Sequence, residues 1–92
     1  MAQENSLKNF FQTMGDANRL SIVFFIGKEE RSVSQIVEQT KLSQPLVSHH
    51  LRALRENSIL ETRREGPFIY YLLKDVRILE VLETLRNIIS SN

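Results

Sequence analysis

The sequence contains no cysteine, and this absence alone excludes several kinds of chemistry. Disulfide bonds, thiolate metal ligands, cysteine nucleophiles and thiol-based redox sensing all require a sulfhydryl group. Such a chain suits the reducing cytosol, so we expect a cytoplasmic location. Long apolar runs are also missing, because no stretch approaches the roughly 20 apolar residues that a membrane-spanning helix needs. The sequence therefore predicts no membrane partner.

Net charge is almost absent as well, at +1 over 92 residues, but the charges are unevenly distributed. Residues 41–64 carry five basic and two acidic side chains, whereas residues 1–40 carry four basic and five acidic ones. A basic middle third in an otherwise balanced chain is typical of a surface that faces phosphate groups. Random clustering of solvated charges explains the same counts equally well, so charge alone leaves both interpretations open.

The first part of the chain predicts two helices. The first is amphipathic, with one apolar stripe at helical spacing formed by Leu7, Phe10, Phe11 and Met14. The second covers residues 18–26, begins after the N-cap Asp16 and ends at Gly27. Because this second helix is apolar nearly all round, we expect it to be the buried, central helix of the fold.

The middle of the chain predicts two further helices joined by a tight turn. Residues 28–31 form a solvated turn, and Ser34 is the expected N-cap of a short helix over residues 35–40. Ser43 is the expected N-cap of a longer helix over residues 44–57. The inward stripe of that longer helix consists of Val47, His50, Leu51 and Leu54. Its opposite face carries Gln44, Ser48, Arg52 and Arg55, with His49 beside them.

The last part of the chain predicts a β-hairpin and one more helix. The runs 59–64 and 68–73 are compatible with strands, and the Glu-Gly-Pro sequence between them predicts the tip of a hairpin. Arg63 and Arg64 lie near that tip. Asp75 then opens a final helix, whose apolar stripe at helical spacing consists of Ile78, Leu82, Leu85 and Ile89.

Two short helices joined by a tight turn, the second polar and basic on its outer face, describe a helix-turn-helix motif. A basic β-hairpin directly afterwards makes the motif winged. The major groove of DNA, about 12 Å wide, admits one helix, and Gln, Ser and Arg side chains can read base edges or bind phosphates there. We therefore predict a recognition helix at 43–56 in the major groove and a wing at 59–73 on the neighbouring backbone or minor groove.

The residues of this motif also resemble a known family. Residues 42–55, Leu-Ser-Gln-Pro-Leu-Val-Ser-His-His-Leu-Arg-Ala-Leu-Arg, are similar to the recognition-helix signature of the ArsR family of winged-helix repressors. Residues 14–20 resemble that family's opening of the second helix, and residues 64–71 resemble its wing. The resemblance implies a mainly α (α+β) winged helix-turn-helix fold with the order α1-α2-α3-α4-β-hairpin-α5. It also implies a homodimer, joined through the first and last helices, that binds a pseudo-palindromic operator in double-stranded DNA.

Carried over position by position, the resemblance implies base contacts for residues of the recognition helix, namely Ser43, Gln44, Ser48 and His49. Mostly phosphate contacts are implied for Arg52, Arg63 and Arg64. Arg55 completes the predicted DNA-binding set, because it shares the outer face of the helix with Arg52. Ser43 is also expected to cap the helix, and the two roles are compatible.

Three positions near this set favour structural interpretations. Arg19, in the opening of the second helix, favours an ion pair with Asp16 over a contact with DNA. His50 lies on the inward stripe and is expected to be a hydrogen-bonded, half-buried histidine. Pro67 stands where the family often has a basic residue, which predicts a stiffer wing tip with less phosphate binding.

Metal sensing, which many ArsR-family members perform, finds no matching ligands in this sequence. One site of the family needs thiolates, which the chain lacks. The other needs Asp-x-His at the start of the last helix, where residues 75–77 are Asp-Val-Arg and Arg77 would repel a cation. Glu80 and Glu83 lie three residues apart, but two isolated carboxylates more often form a solvated face. We predict no metal site and no cofactor.

The sequence thus predicts one domain over residues 1–92 that combines DNA binding with dimerisation and acts as a transcriptional repressor. The apolar stripe of the last helix exceeds what the core of so small a chain can cover. The predicted dimer interface consists of Leu7, Phe10, Phe11, Ile78, Leu82, Leu85 and Ile89. No nucleophile elbow, phosphate loop or metal-hydrolase motif is present, so an enzyme is not expected.

Two questions stay open at the level of sequence. The alternative function is a winged-helix module that binds another protein rather than DNA. The basic middle third and the polar helix face argue against this alternative. The effector is the second question, since a small apolar molecule at the dimer helices, a protein partner and no effector at all are each compatible with the chain. The operator sequence, the regulated genes and the choice between activation and repression cannot be read from it.

Overall fold

A computed structural model describes residues 2–91, so that Met1 and Asn92 of the predicted domain lie outside the described residues. Within this range the chain forms five helices and three strands. In chain order they are α1 (Ala2–Met14), α2 (Ala17–Ile26), β1 (Arg31–Ser32), α3 (Val33–Thr40), α4 (Gln44–Glu56), β2 (Leu60–Glu65), β3 (Phe68–Leu73) and α5 (Arg77–Ser90). This order confirms the predicted mainly α winged helix-turn-helix and adds one strand to it. No helix between residues 2 and 91 is long and apolar enough to cross a membrane.

The helix α2 is central, as its nearly uniform apolar sequence predicts. The Asp16 carboxylate caps the N-terminus of α2 by accepting a hydrogen bond from the backbone N–H of Arg19 at 3.0 Å. Gly27 ends the helix with a φ of 54°, a value that costs glycine little because it has no Cβ. The hydrophobic core around α2 draws on all five helices and the hairpin, through Met14, Ile22, Val23, Ile26, Ile36, Val47, Leu51, Leu54, Ile59, Leu60, Leu73, Leu79 and Leu82.

The strand β1 is the main departure from the predicted elements. Residues 28–31 are predicted as a solvated turn, but Arg31 and Ser32 pair antiparallel with Tyr71 and Tyr70 of β3. The sheet therefore has three strands in the order β1-β3-β2. A strand of two residues is too short to show the alternation of apolar and polar side chains by which strands are recognised. Only its pairing with β3 identifies it.

The cap of α3 also differs from the expectation, because Ser32 and not Ser34 caps the helix. The Ser32 hydroxyl accepts a hydrogen bond from the backbone N–H of Gln35 at 3.2 Å. The Gln35 side-chain oxygen in turn accepts from the backbone N–H of Ser32 at 2.9 Å. This reciprocal capping box needs Glu or Gln three residues after the serine. Gln35 fulfils that requirement for Ser32, whereas Val37 follows Ser34 at the same distance.

The hairpin and the start of α5 agree with the prediction to within two residues. Glu65 pairs with Phe68, so Glu65 belongs to the strand and the turn contains only Gly66 and Pro67. The helix α5 begins at Arg77 rather than at Asp75. Asp75 nevertheless supports its first turn, because the Asp75 carboxylate accepts a hydrogen bond from the backbone N–H of Arg77 at 2.9 Å.

The helix α5 packs more of its apolar surface against its own chain than the sequence predicts. Leu82 is only 7% exposed, and Leu79 is buried beside it in the core. Ile78 is partly buried against the same core. The expectation that Ile78 and Leu82 lie uncovered is therefore wrong, since α5 lies directly over the core at these positions. The exposed apolar residues of α5 are Val81, Leu85, Ile88 and Ile89.

Candidate nucleic-acid interface

The connection between α3 and α4 is short and leaves the first residues of α4 exposed. Lys41 ends α3 in the left-handed conformation, with a φ of 62°, and its backbone N–H donates to the Val37 carbonyl. Ser43 then caps α4, because its hydroxyl accepts a hydrogen bond from the backbone N–H of Leu46 at 3.3 Å. The predicted cap at Ser43 and the tight turn before it are confirmed.

The two faces of α4 differ as the sequence predicts. The inward stripe, Val47, His50, Leu51 and Leu54, is buried. The remaining candidate residues are all exposed, namely Ser43, Gln44, Ser48, His49, Arg52 and Arg55. The helix therefore presents hydrogen-bond donors and acceptors and two arginines to solvent while an apolar stripe holds it to the core. This arrangement suits a helix that enters a groove of DNA.

The two arginines of the hairpin have different surroundings. The Arg63 guanidinium donates to the Glu30 carboxylate through Nε and to Glu65 through Nη2 at 3.3 Å. These two hydrogen bonds, the one to Glu30 first, raise the pKa of Arg63 above its ordinary value. Arg64 points to the other face of the strand and has no ion pair among residues 2–91. Of the two predicted phosphate contacts, only Arg64 is therefore free of an acidic partner within the described chain.

The tip of the hairpin carries apolar surface that the sequence patterns do not single out. Phe68 is 60% exposed, beside the turn residues Gly66 and Pro67. Isolated exposed apolar side chains are common on protein surfaces, so Phe68 alone does not mark a binding site. The signal available in the sequence was the position of Phe68 directly after the predicted hairpin tip.

Arg19 is held structurally, but not by the predicted ion pair. Its backbone N–H bonds to Asp16, whereas its guanidinium donates to His50 Nδ1 at 3.1 Å and to the Thr13 carbonyl at 3.3 Å. The backbone N–H of Arg19 is also the largest cause that lowers the pKa of Asp16. His50 is more deeply buried than expected and only half hydrogen-bonded, because its Nε2 has no partner among residues 2–91.

The donor atoms for a metal ion are not assembled in the described part of the chain. Between residues 2 and 91 no group of three or more His, Cys, Asp or Glu side chains is positioned to hold one. The Asp75 carboxylate is occupied by the Arg77 guanidinium, with an Nη2–Oδ2 distance of 2.7 Å. The side-chain hydrogen bond from Arg77 lowers the pKa of Asp75 to about 2. A carboxylate paired with a guanidinium in this way does not fit a cation site.

A continuous apolar surface lies on the side of α1 and α5. Four of the seven predicted interface residues are exposed there, namely Leu7, Phe11, Leu85 and Ile89. Val81 and Ile88 of α5, which the prediction leaves out of the interface, extend the same surface. Phe10 and Ile78 are partly buried against the core, and Leu82 belongs to it. A groove of about 390 Å³ between α1, α2 and α5 is continuous with this surface and extends inward as far as Phe24.

Comparison with known sequences places the helix-turn-helix region in a described family. Residues 16–62 match the family model of the bacterial regulatory proteins of the arsR family. The cadmium resistance transcriptional regulatory protein CadC of Listeria innocua is 32% identical over 79 residues, which cover 85% of this chain and 66% of that protein. This chain thus spans slightly less than two thirds of the length of that relative.

Comparison with solved structures supports the same architecture. The transcriptional repressor BigR of Xylella fastidiosa superimposes with a TM-score of 0.84 at 31% identity, over 95% of this chain and 89% of that one. A homodimeric winged helix-turn-helix DNA-binding domain of Mycobacterium bovis superimposes with a TM-score of 0.90 at 22% identity, over 99% of this chain and 84% of that one. At 22% identity, the similarity to the Mycobacterium bovis domain shows a shared fold only.

Proposed function

The chain belongs to the arsR family of bacterial regulatory proteins, and we propose that it represses transcription by binding a pseudo-palindromic DNA operator as a homodimer. The observation that carries this proposal is the division of α4 into two faces. Four of its side chains are buried in the core, and the polar and basic side chains on the other face are all exposed. A helix with this division can enter the major groove while the rest of the domain stays outside it.

The proposed contacts follow from position along α4 and the hairpin. Ser43 and Gln44 lie at the N-terminus of α4, the end that reaches base edges in helix-turn-helix proteins. Ser48 and His49 lie one turn further on, and Arg52 and Arg55 follow, where phosphates are the nearer partners. In the wing, Arg64 is the better placed of the two arginines, because Arg63 is held by Glu30 and Glu65.

The proposed dimer follows from apolar surface that residues 2–91 leave exposed. Val81, Leu85, Ile88 and Ile89 of α5 and Leu7 and Phe11 of α1 are exposed, and Phe11, Leu85 and Ile89 line one groove. A surface of this kind is rare on a monomeric soluble protein unless it binds a partner. A two-fold dimer would bury the same stripe from both chains and direct both copies of α4 to one DNA duplex. We infer that residues 1–92 form one domain that serves both roles.

We further propose that this chain does not respond to metal ions through the sites that many members of its family use. The relative CadC bears the name of a cadmium resistance regulator. In this chain cysteine is absent, and the carboxylate of Asp75, two residues before α5, is paired with Arg77. The donor set therefore matches neither thiolate nor Asp-x-His coordination.

The proposal is tested by the salt dependence of DNA binding. Fluorescence anisotropy with a duplex from the promoter of the chain's own gene should show binding that weakens as salt rises, because released counterions drive phosphate contacts. Unlabelled promoter DNA should compete about 10³-fold better than unrelated DNA of the same length. Equal competition by both DNAs would contradict sequence-specific recognition. A complete lack of DNA binding would support the alternative, a winged-helix module that binds another protein.

A further inference from the structure

One arginine side chain connects three helices beneath the exposed face of α4. The Arg19 guanidinium donates to His50 Nδ1 and to the Thr13 carbonyl, and the Arg19 backbone N–H donates to Asp16. Thr13 lies in the last turn of α1, Arg19 in the first turn of α2, and His50 in the middle of α4. The Arg19 bridge, as we call these hydrogen bonds, therefore joins the helix with the exposed apolar stripe to the helix with the candidate DNA contacts.

The chemistry of the bridge fixes the protonation state of His50. An arginine Nε–H can only donate, so His50 Nδ1 must be unprotonated and the imidazole proton lies on Nε2. The side chain of His50 is only 5% exposed, and its short length allows Nδ1 little freedom relative to the α4 backbone. At the other end, Thr13 provides one of the last carbonyls of α1, which have no partner within their own helix. Both ends of the bridge are thus attached to helix backbones through short connections.

We propose that Arg19 and His50 are positioning residues that hold α4 in a fixed place on α1 and so set the separation of the two recognition helices in the dimer. The inference rests on the proposed function, because it requires a homodimer that binds DNA. With α1 at the dimer interface and α4 in the groove, the placement of α4 on α1 determines which spacing of half-sites the dimer accepts. Arg19 therefore affects DNA binding without touching DNA.

Protonation of His50 opens the bridge. A charged imidazole carries a proton on both nitrogens, so it cannot accept from Arg19, and its charge repels the guanidinium. The titratable groups that act on His50 are Asp16 at the N-cap of α2, Arg19 of α2 and His49 of its own helix, while α1 contributes the neutral Thr13 carbonyl. Burial lowers the pKa of His50 most; the Asp16 carboxylate opposes this effect, and Arg19 and His49 add to it. At neutral pH the imidazole is therefore in its accepting form.

The test compares two substitutions at one position with opposite acceptor chemistry. His50→Asn places an amide oxygen as many bonds from Cα as Nδ1, so it keeps an acceptor for Arg19 and cannot titrate. His50→Leu fills the buried site but removes the acceptor. The probes are the operator that the wild-type chain selects from a random-sequence duplex pool and the same operator with one base pair inserted between its half-sites.

We expect the wild type and the His50→Asn variant to prefer the original spacing by the same factor. The His50→Leu and Arg19→Leu variants should bind the original operator about tenfold more weakly and discriminate less between the two spacings. Binding is measured at a temperature at which thermal unfolding shows that all variants are folded. Under that condition a variant that has only lost stability keeps the wild-type spacing preference. If the His50→Leu variant does not fold, Arg19→Leu provides the same comparison at a partly exposed position.

A pH profile provides the second measurement. In a His49→Asn background His50 is the only histidine of the chain. Because burial lowers the pKa of His50, operator binding in this background should weaken as the pH falls below the ordinary histidine value, and it should weaken less when His50→Asn is added. The inference would be overturned if the His49→Asn chain gave the same pH profile with and without His50→Asn. It would also be overturned if the folded Arg19→Leu and His50→Leu variants kept the wild-type spacing preference. Either result would leave the proposed DNA binding intact. A wild-type chain that binds no DNA would instead contradict the proposed function.

Discussion

Arg63 of β2 donates a hydrogen bond from Nε to the carboxylate of Glu30, which lies 33 residues earlier and directly before β1. Its guanidinium also lies 5.1 Å from the centre of the Tyr70 ring, and its Nη2 donates to Glu65. These contacts hold the side chain along the sheet. A residue that sequence similarity assigns to phosphate binding is thereby partly neutralised by the protein itself, and Arg64 is left as the free cation among the described residues of the wing.

Releasing Arg63 should strengthen DNA binding. Glu30→Gln removes one of the two carboxylates that hold the guanidinium, the one bound by Nε, so Arg63 becomes more available to a phosphate and a negative charge is lost. We expect tighter binding to all DNA sequences, with the slope of log K against log salt steeper by up to about 0.9 per protomer. Anisotropy titrations over a range of salt measure both quantities.

Two controls separate Arg63 from the change in total charge. Glu29→Gln changes the charge equally at a neighbouring exposed residue that has no ion pair within residues 2–91. It should change affinity less and leave the salt slope unaltered. In an Arg63→Ala background, Glu30→Gln should lose its effect on the slope. A slope that responds equally to both glutamates would mean that Arg63 is not the group released.

Substitutions of Gln44 and of Arg52 should weaken DNA binding in different ways. Gln44 lies in the first turn of α4, and its amide can pair with an adenine through two hydrogen bonds. Gln44→Ala should therefore cost about 1–3 kcal/mol on the operator and relax the preference at one base pair of each half-site. Arg52→Ala should weaken binding to all sequences alike and reduce the salt slope by about 0.9 per protomer. Competition assays with single-base operator variants distinguish the two patterns, and the reverse assignment would mean that α4 docks differently.

Local sequence patterns predicted most of α4 because the physical causes lie within a few residues. The cap at Ser43 requires a hydroxyl and a backbone N–H three residues later, and the inward stripe through Val47 and Leu51 follows from the period of the helix. The exposed positions of Gln44 and Arg52 then follow by elimination. For these features of α4, the tertiary structure adds little to what the spacing of residues along the sequence already predicts.

Apart from the cap of α3, which a local capping box moves from Ser34 to Ser32, the main features that sequence reasoning missed depend on contacts between distant residues. The strand β1 exists only because β3 has a free edge, and Arg63 meets Glu30 only after the sheet has formed. Arg19 could be assigned a structural role, but its partner His50 lies 31 residues away and no local pattern names it. Leu82 was placed on the surface because helical periodicity cannot tell a stripe that faces the core from one that faces a partner.

Metal ions should not release the chain from its operator. The ligand types and spacing of the family's known sites are absent, and Arg77 occupies the carboxylate of Asp75. Titration with zinc, cadmium or arsenite should leave the anisotropy of the operator complex unchanged at stoichiometric concentrations. Dissociation that a chelator reverses would show that a site exists, and Asp75, Glu80 and Glu83 would be the first residues to substitute.

The dimer should depend on the exposed part of the α5 stripe rather than on its buried part. Ile89 is 71% exposed, so Ile89→Glu changes the surface without affecting the core, and Leu85→Glu acts one turn earlier. Each substitution should convert the dimer to a folded monomer at micromolar concentration in sedimentation velocity, because burying the carboxylate in an apolar interface is unfavourable. Phe68→Glu, a similar substitution at an exposed aromatic residue of the hairpin, should leave the dimer intact. A dimer that survives both α5 substitutions would place the interface elsewhere.

The cap of α2 should determine part of the acid sensitivity of the fold. The pKa of Asp16 lies below its ordinary value of 3.8, chiefly because the carboxylate accepts a hydrogen bond from the backbone N–H of Arg19. A lowered carboxyl pKa contributes stability that is fully present above the unfolded value and is lost as the pH falls through the folded value. Asp16→Ala should lower the free energy of unfolding at neutral pH by about 1 kcal/mol, the usual cost of removing an N-cap. Asp16→Asn keeps a capping oxygen without a titrating proton, so it should retain most of the neutral stability and show a weaker decline in acid. Urea unfolding at a series of pH values measures both effects, and parallel acid declines in the wild type and the Asp16→Asn variant would assign the sensitivity to other carboxylates.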